Sequence, residues 1–364
     1  MSELKTNKIS TNDQNNVAID NALGLKSYTT TARDALTSVA GDTIYNTDTT
    51  KVEFYNGSSW IQGGGADVAS IEYLLIAGGA GGGNGNQQAG GGGGAGGYIT
   101  NYASDPSGGN SSTTAGLFLQ KSFNLTISVG AGGGGDATNY GGGYGNDSIL
   151  GPLTAQGGGR GAGRSGGAGT GGSGGGGHGG TADSNGRGGG GNPIVGQGMQ
   201  GGGGNQSNGR AGGGGGAGMK GYYNTTEGGR PGGDGLVSTI LTTAQATTYS
   251  VGEVIGSDVW FAGGGGSSPN DPNTTIGAGG KGGGGNSTHN SVPTAAGVNT
   301  GGGGGARALL PGAAGAGASG VIIIRFPDTL SISGLTGLTS SNFTSGGYKY
   351  YIFTGGESTT VQFS

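Results

Sequence analysis

Apolar segments of strand-like length recur along the chain, and many of them run directly into glycine. Residues 71–77 (IEYLLIA), 125–129 (LTISV) and 258–262 (DVWFA) are each followed at once by a glycine run. A flexible linker alternates glycine with serine or charged residues and contains nothing that favours burial. Here each apolar segment instead fixes the first glycine of the run that follows it. The pattern therefore predicts an ordered glycine-rich region rather than a linker.

An ordered glycine run has one regular conformation left, the left-handed threefold helix called polyglycine II. This helix has no internal hydrogen bonds, so its N–H and C=O groups must bond to neighbouring helices. Ordering one residue costs about 1–2 kcal/mol, whereas a hydrogen bond contributes only about 0.5–1.5 kcal/mol net. The sequence therefore predicts a compact lattice in which nearly every backbone group is paired and which a hydrophobic domain clamps at its base.

Short strands with Gly and Asn turns are predicted around the glycine runs, a pattern typical of a β-sandwich or jelly roll. The candidate strands are residues 71–77, 98–102, 117–129, 148–155, 236–241, 249–255, 258–262, 321–326, 347–354 and 359–363. The predicted fold class is mostly β: a small N-terminal helix plus a β-meander, then a β-sandwich bearing a polyglycine II lattice.

The pattern divides the chain into an N-terminal attachment or oligomerisation module at residues 1–62, a hinge at 63–70 and a glycine-rich domain at 71–364. Within the last, we assign the sandwich to residues 71–155, 236–262 and 321–364, and the lattice mainly to residues 78–97, 157–235 and 263–320.

The N-terminal module begins with polar residues 1–28, which we expect to order only against a partner or a second copy. Residues 31–39 predict a short helix, with Thr31 as its N-cap. Three short strands follow at residues 43–46, 51–55 and 58–61, and Asn56-Gly57 predicts the hairpin between the last two.

Composition and charge exclude several classes of protein. Of 364 residues, 101 are glycine and only 10% are charged, which argues against a large conventional core. A net charge of −4 argues against a general nucleic-acid or anionic-membrane binder. The chain has no cysteine and no apolar run long enough for a membrane-spanning helix. Its first residues lack the apolar segment of a secretory signal, so we expect any role outside a cell to follow lysis or release within a particle.

The segment TTARDALTSVAGDTIYNTDTTKVEFYNGSSW (residues 30–60) resembles a module common in tail-fibre and other structural proteins of tailed phages, especially marine ones. The resemblance rests on the order of helix, IYNT, VEFY, NG and Trp60. It implies a virion protein without indicating which one.

The glycine-rich part carries a second resemblance. The order EYLLIAGGAGGG, GGGGAGGYI, LTISVGAGGGG and GASGVIIIRFPD is similar to a glycine-rich domain widespread in phage proteins. Glycine content alone also resembles the polyglycine II tail-tip adhesins of T-even-like phages, although the attachment segment of those adhesins is not found here. In such adhesins a glycine lattice carries variable loops at its far end, and these loops select the host receptor.

Other motifs favour structural interpretations. A dinucleotide site needs a helix after its glycines, and none is predicted here. A P-loop at Gly280-Lys281 lacks its first glycine and its Ser or Thr. Isolated arginines, among them Arg160, Arg164 and Arg230, are expected to cap lattice carbonyls or face solvent rather than bind RNA. We therefore expect no cofactor and no nucleic-acid partner.

Residues 142–150 (GGYGNDSIL) fit the calcium nonapeptide pattern, with Asp147 as the obvious ligand. A calcium roll needs successive copies, so a turn entering a strand at Ser148 is the favoured interpretation. Asp147 stays only a weak metal candidate.

Catalysis is not expected. The chain has no cysteine nucleophile, and its two histidines are far apart in sequence. Polysaccharide-degrading spikes with paired carboxylates are usually β-helices with much more aliphatic repeat. The sequence thus predicts a non-enzymatic protein.

The spacers between glycine runs carry the candidate recognition residues, because loops on a rigid scaffold are where binding is usually placed. Tyr222 and Tyr223 are the sharpest candidates, since exposed aromatic rings suit sugars or protein surfaces; packing sideways on the lattice is their alternative. The full candidate set is Tyr140, Tyr144, His178, Tyr222, Tyr223, Asn224, Asn270, Asp271 and His289.

These observations predict a virion tail-fibre or receptor-binding protein. The expected partners are a host-surface glycan or outer-membrane protein, other tail proteins through the N-terminus, and further copies in a homotrimer, without membrane insertion. The alternatives are a non-adhesive virion component, such as a head fibre, decoration or tail-assembly protein, and an ice-binding or matrix protein. Irregular Asn, Arg and Tyr spacers favour recognition over ice binding, which would need regular Thr or Ala on one face.

Overall fold

The computed structural model describes residues 25–63, 68–114, 116–120, 123–138, 140–180, 188–205, 209–223, 228–271, 273–289, 291–308 and 312–364. The chain divides between Val68 and Ala69 into two compact units. The predicted mostly-β class is confirmed, with strands outnumbering two short α-helices in the described residues.

The N-terminal unit is a small sheet with one helical turn. Its strands pair in the order β1 (Ser27–Tyr28), β2 (Thr43–Asn46), β3 (Lys51–Tyr55) and β4 (Trp60–Gly63), and helix α1 covers Thr30–Asp34. The predicted start of the helix was wrong: Thr29 is the N-cap, and its side chain accepts a hydrogen bond from the amide of Ala32. The helix is also shorter than residues 31–39. Residues 1–24 of the predicted module lie outside the described residues.

The second unit carries the remaining strands at the base of the glycine runs. These are β5 (Val68–Ile76), β6 (Tyr98–Thr100), β7 (Leu117–Gln120), β8 (Asn124–Ser128), β9 (Ser148–Leu150), β10 (Leu153–Ala155), β11 (Leu236–Val237), β12 (Glu253–Ile255), β13 (Asp258–Phe261), β14 (Val321–Pro327), β15 (Ile332–Ser333), β16 (Thr339–Ser345), β17 (Tyr348–Gly355) and β18 (Thr359–Phe363). Helix α2 (Thr243–Tyr249) lies between β11 and β12.

Several predicted strands are divided or shortened. Residues 148–155 form the hairpin β9–β10, because Gly151 takes a left-handed conformation at its turn (φ 57°). Residues 117–129 contain two strands, β7 and β8. The strand predicted at residues 249–255 is shorter, because residue 249 is the last residue of α2 and β12 begins only at residue 253. The helix begins where Thr242 and Gln245 form a capping box.

Three sheets form layers with the six-stranded sheet in the middle. Its order is β16-β17-β14-β5-β6, with β7 also paired to β5. One face packs on the five-stranded sheet β10-β9-β8-β18-β15, and the other packs on the three-stranded sheet β11-β13-β12 and α2. Adjacent residues of β14 divide between the two cores: Ile324 packs with one and Ile323 with the other. This burial on both faces explains the unbroken apolar runs of β5 and β14.

The glycine run that follows β5, residues 78–83, has hydrogen bonds with a period of three. Its amides donate in turn to the carbonyls of three antiparallel runs. The amides of residues 78 and 81 donate to the carbonyls of residues 146 and 143, and those of residues 79 and 82 to the carbonyls of residues 318 and 315. The amides of residues 80 and 83 donate to the carbonyls of residues 94 and 91. Its carbonyls accept in turn from three parallel runs, at residues 133–136, 158–161 and 304–307. A backbone in which every third residue faces the same neighbour is a threefold helix. Six neighbours around this run make it the centre of a polyglycine II lattice.

The lattice runs alternate in direction, so their connections lie at two ends. Residues 78–83 leave β5, and the antiparallel run 91–94 returns to β6. The connection between them therefore lies at the end away from the sheets. Wherever one run leads away from the sheets and the next leads back, the connection between the two runs lies at this same far end. We call this far end the tip; its described residues fall within 84–89, 136–141, 163–168, 205–210, 228–229, 269–276, 288–294 and 308–312.

Candidate functional site

The tip is held together by hydrogen bonds between connections that are distant in sequence. The carbonyl of Asn84 accepts from the amide of Arg164 (3.1 Å), and its side-chain amide donates to the carbonyl of Gly312 (2.9 Å). Its own amide donates to the buried carboxylate of Asp136 (3.1 Å). That carboxylate also accepts from the amide of Gly141. Asn84 and Asp136 thus fix four connections as one rigid surface.

Three arginine side chains donate hydrogen bonds to backbone carbonyls at or near the tip, as the sequence predicted. Nε of Arg160 donates to the carbonyl of Gly167, and Nη1 of Arg164 donates to the carbonyl of Asn86. Nη1 of Arg230 donates to the carbonyl of Gly228. The expectation that arginines cap backbone carbonyls is confirmed at these three positions.

Two of the candidate tyrosines lie beside one arginine. The guanidinium carbon of Arg160 lies 5.0 Å from the ring centre of Tyr140 and 5.5 Å from that of Tyr144. Both rings are about half exposed, at 56% and 50%. They form a cation–π cluster on the flank of the lattice next to the tip.

Tyr222 and Tyr223 lie on a lattice run that leads toward the tip. The backbone of Tyr222 is part of the lattice, because its carbonyl accepts from the amide of Gly213. The side chains are exposed, that of Tyr223 by 69%. The third candidate of this spacer, Asn224, lies outside the described residues.

Asn270 and Asp271 line a tip pocket of about 210 Å³ with Arg210 and Thr274, completed by Gly209, Gly228 and Pro269. Sequence reasoning missed Arg210 and Thr274 as pocket residues. The sequence offered only two weak signals: Arg210 follows one spacer, and Thr274 lies within another. Their proximity depends on which lattice runs are neighbours.

A second arginine lies beneath this pocket. Arg230 is only 5% exposed, and the carbonyl that it binds belongs to Gly228 of the pocket wall. Burial, and then the nearby charge of Arg210, lower the pKa of Arg230 below its usual value.

The candidate histidines are not on the exposed surface. His178 is 2% exposed and His289 is 6% exposed. Nε2 of His289 lies 3.3 Å from the carbonyl oxygen of Asn270, behind the pocket loop. Both histidines are thus buried within the lattice, and His289 lies against the backbone of the pocket loop.

Asp147 serves the junction between lattice and sheet. Its Oδ1 accepts from the amide of Gly157 (2.7 Å), and β9 begins at the next residue, as the turn interpretation predicts. Among the described residues, no group of three or more His, Asp or Glu side chains is arranged to hold a metal ion. In that same part of the chain, we find no helix with the length and apolar character needed to cross a membrane.

Comparison with known proteins identifies the glycine-rich part. A family model described as a glycine-rich domain matches residues 48–327, which is more than half of the chain. No curated protein matches the chain significantly.

Proposed function

The chain belongs to the glycine-rich domain family, and we propose that it is a tail-fibre or receptor-binding structural protein of a virion. In this role, side chains at the tip and on the adjoining flank of the lattice attach the particle to a host surface.

The observation that carries this proposal is the arrangement of the tip. Backbone hydrogen bonds hold the lattice runs, and Asn84 and Asp136 lock their connections together. On this support the chain exposes Tyr140, Asn270 and Asp271 at the tip of the lattice. A rigid scaffold that presents varied polar and aromatic groups is suited to recognition, because little entropy is lost when they bind.

The N-terminal unit supports a role in attachment to other virion proteins. Its residues 30–60 carry the resemblance to phage fibre modules. Phe54 and Ile61 lie opposite each other on β3 and β4, and both side chains are more than a third exposed. We propose that this unit joins other tail proteins, and that three copies of the chain assemble in the fibre.

Antibodies raised against the full chain test the proposal on the phage that encodes it. The expected result is labelling of the tail or its fibres in electron micrographs of purified particles, together with reduced adsorption to the host. Purified particles that lack the chain by mass spectrometry would overturn the virion role. Labelled particles whose adsorption is unaffected by saturating antibody would overturn the receptor-binding role.

A further inference from the structure

We propose that the cation–π cluster of Tyr140, Tyr144 and Arg160 binds a pyranose ring of a host-surface glycan by stacking. This inference rests on the proposed function, because it names the class of receptor that the flank of the lattice would recognise.

Tyr144 occupies an outward-facing position of its lattice run. The amides of residues 142 and 145 donate to the neighbouring run 157–161, and those of residues 143 and 146 donate to the run 131–134. Because the helix is threefold, residue 144 faces the remaining side. Its ring is 50% exposed there. The lattice itself therefore directs this ring to the surface.

Arg160 faces outward from the adjacent run by the same rule. The amides of residues 158 and 161 donate to the central run 78–83, and those of residues 159 and 162 donate to the carbonyls of residues 173 and 176. The remaining side of this helix carries the side chain of Arg160. Two outward positions on hydrogen-bonded neighbouring runs thus bring the guanidinium group beside the ring of Tyr144.

Tyr140 completes the cluster from a connection that is tied down. The amides of Thr138 and Gly141 donate to the carboxylate of Asp136 at 2.8 and 2.9 Å. The side chain that lies between the two tyrosine rings is also held, because Nε of Arg160 donates to a tip carbonyl (3.3 Å). The cluster is therefore supported before a ligand arrives, and little entropy is lost on binding.

The glycine lattice lies directly behind one ring. A β-carbon on Gly169 would lie 2.5 Å from Cε1 and 2.9 Å from Cζ of Tyr144, so the ring packs on bare backbone. With glycine behind it, half of the ring surface stays open to solvent. An aromatic ring supported in this way is suited to flat stacking, because no neighbouring side chain from Gly169 shields it.

The chemistry of the cluster matches a sugar. One face of a pyranose ring carries C–H groups, which pack on the electron-rich face of an aromatic ring. Its hydroxyl groups lie around the rim and need hydrogen-bond partners. The phenol groups of Tyr140 and Tyr144 donate and accept, and the Nη groups of Arg160 carry further N–H donors. Stacking surface and polar partners are thus present within one small area.

The surroundings favour a sugar over a protein as the occupant. Both ring centres lie within 5.5 Å of one guanidinium carbon, so the cluster is a compact patch. The exposed positions nearest along these runs are Thr138, Gly143 and Asn146, which add no apolar surface. A protein interface commonly buries about 800 Å² on each partner around an apolar centre. A cluster of two rings and one guanidinium group is closer to the size of one or two sugar residues.

Sugar titration of the full chain, followed by NMR, tests the proposal. The probes are maltose, lactose, mannobiose and N,N′-diacetylchitobiose, and sorbitol is the control. Sorbitol has the hydroxyl groups of a sugar without the flat face of a ring. At least one disaccharide should bind about tenfold or more tightly than sorbitol. Binding of none of the four, or equal binding of sorbitol, would overturn the proposal.

Tyr144→Ser is the informative variant, and Phe118→Ser is its matched control. Phe118 is another exposed aromatic residue, at 66% exposure, and lies on β7 outside the cluster. We expect Tyr144→Ser to weaken sugar binding about tenfold or more and Phe118→Ser to leave it unchanged. Tyr144→Phe keeps the stacking ring and should bind within about threefold of the unaltered chain. Equal unfolding midpoints establish that the variants are folded, and equal sugar binding by the two serine variants would contradict the proposal.

The outcomes separate this inference from the proposed function. If the full chain attaches to host cells and none of the sugars binds, the stacking assignment is wrong while the proposed function stands. If a sugar binds and the antibody does not label virions, the stacking assignment stands while the proposed function is wrong. A protein contact is the third outcome: Tyr144→Ser would reduce attachment, and protease treatment of the cells, rather than periodate oxidation of their glycans, would abolish it. That result would also overturn the sugar assignment.

Discussion

The carbonyl oxygen of Gly265 lies 2.0 Å from the point that a β-carbon on Gly92 would occupy. The amide of Gly92 donates to the carbonyl of Gly212, and its own carbonyl accepts from the amide of Gly176. Three lattice runs thus approach one residue so closely that no side chain fits. Glycine is required here by space alone, because φ of Gly92 is not in the left-handed region.

Gly92→Ala should therefore destabilise the lattice strongly. The atoms that a methyl group would meet are backbone atoms of neighbouring runs, so relief requires the runs to separate and lose hydrogen bonds. We expect a loss of about 3 kcal/mol or more, measured as a fall in the midpoint of thermal or denaturant unfolding.

Gly134→Ala is the matched control for this prediction. Gly134 is exposed, and a β-carbon there would meet no atom within 4 Å. This substitution should be neutral or stabilise by up to about 1 kcal/mol, since alanine restricts the unfolded chain. Equal unfolding midpoints for the two variants would contradict the lattice packing described above.

Ser148 joins the lattice to the sheets, and its replacement should be costly. Its buried hydroxyl accepts from the amide of Gly130 (2.9 Å) and donates to the carbonyl of Ile76 (2.8 Å). Ser148→Ala leaves the Gly130 amide without this acceptor, which should cost about 1–3 kcal/mol. Denaturant titration measures the change, and Ser345→Ala at an exposed position of β16 should be nearly neutral. A similar small effect for both would show that Ser148 does not stabilise the junction.

The N-terminal unit should lose stability in acid because of Glu53. Burial alone would raise the pKa of Glu53, but hydrogen bonds from Arg33, Asn46 and Thr49 outweigh it and hold the pKa below its ordinary value of 4.5. A carboxylate with a lowered folded pKa stabilises the protein above its unfolded pKa, and this stability is lost as pH falls toward the folded pKa. Unfolding of this unit should therefore become easier below about pH 4.5.

Trp60 can report this transition once Trp260, the other tryptophan, is replaced by Phe. Glu53→Gln removes the titrating group, so stability followed by Trp60 fluorescence should be lower at neutral pH and depend less on pH between about 3 and 5. An unchanged pH dependence in the Glu53→Gln variant would rule out Glu53 as the source.

Much of the fold could be predicted from sequence, because the lattice and the central sheet have strong composition signals. The apolar run of β14 predicts a strand buried on both faces, and the packing of Ile323 and Ile324 in two different cores shows why it carries no polar alternation. Helix α2 was missed because TAQATTY has few apolar residues. Its only clear signal was the Thr242 and Gln245 capping pair.

The site was less predictable, since exposure depends on where a run lies in the lattice. His178 and Tyr222 both lie in or beside glycine runs, yet the first is buried and the second exposed. A run with neighbours on every side buries each of its residues, whereas a peripheral run leaves one side open to solvent. The meeting of Arg210 with Asn270 has the same origin, because they belong to connections that are 60 residues apart in sequence.

Tyr222 and Tyr223 offer a test of recognition that is separate from stability. Their rings are exposed by 47% and 69%, while the backbone of Tyr222 bonds within the lattice. The double replacement by Ser removes two aromatic surfaces and keeps the backbone donors, so the unfolding midpoint should change by less than about 1 kcal/mol. If these rings contact the receptor, attachment of labelled full chain to host cells should fall about tenfold or more. The matched variant Val195→Ser removes another strongly exposed apolar side chain, at 95% exposure, near the opposite, sheet end of the lattice. We expect that variant to attach normally; equal attachment by both variants would show that the receptor binds elsewhere on the surface.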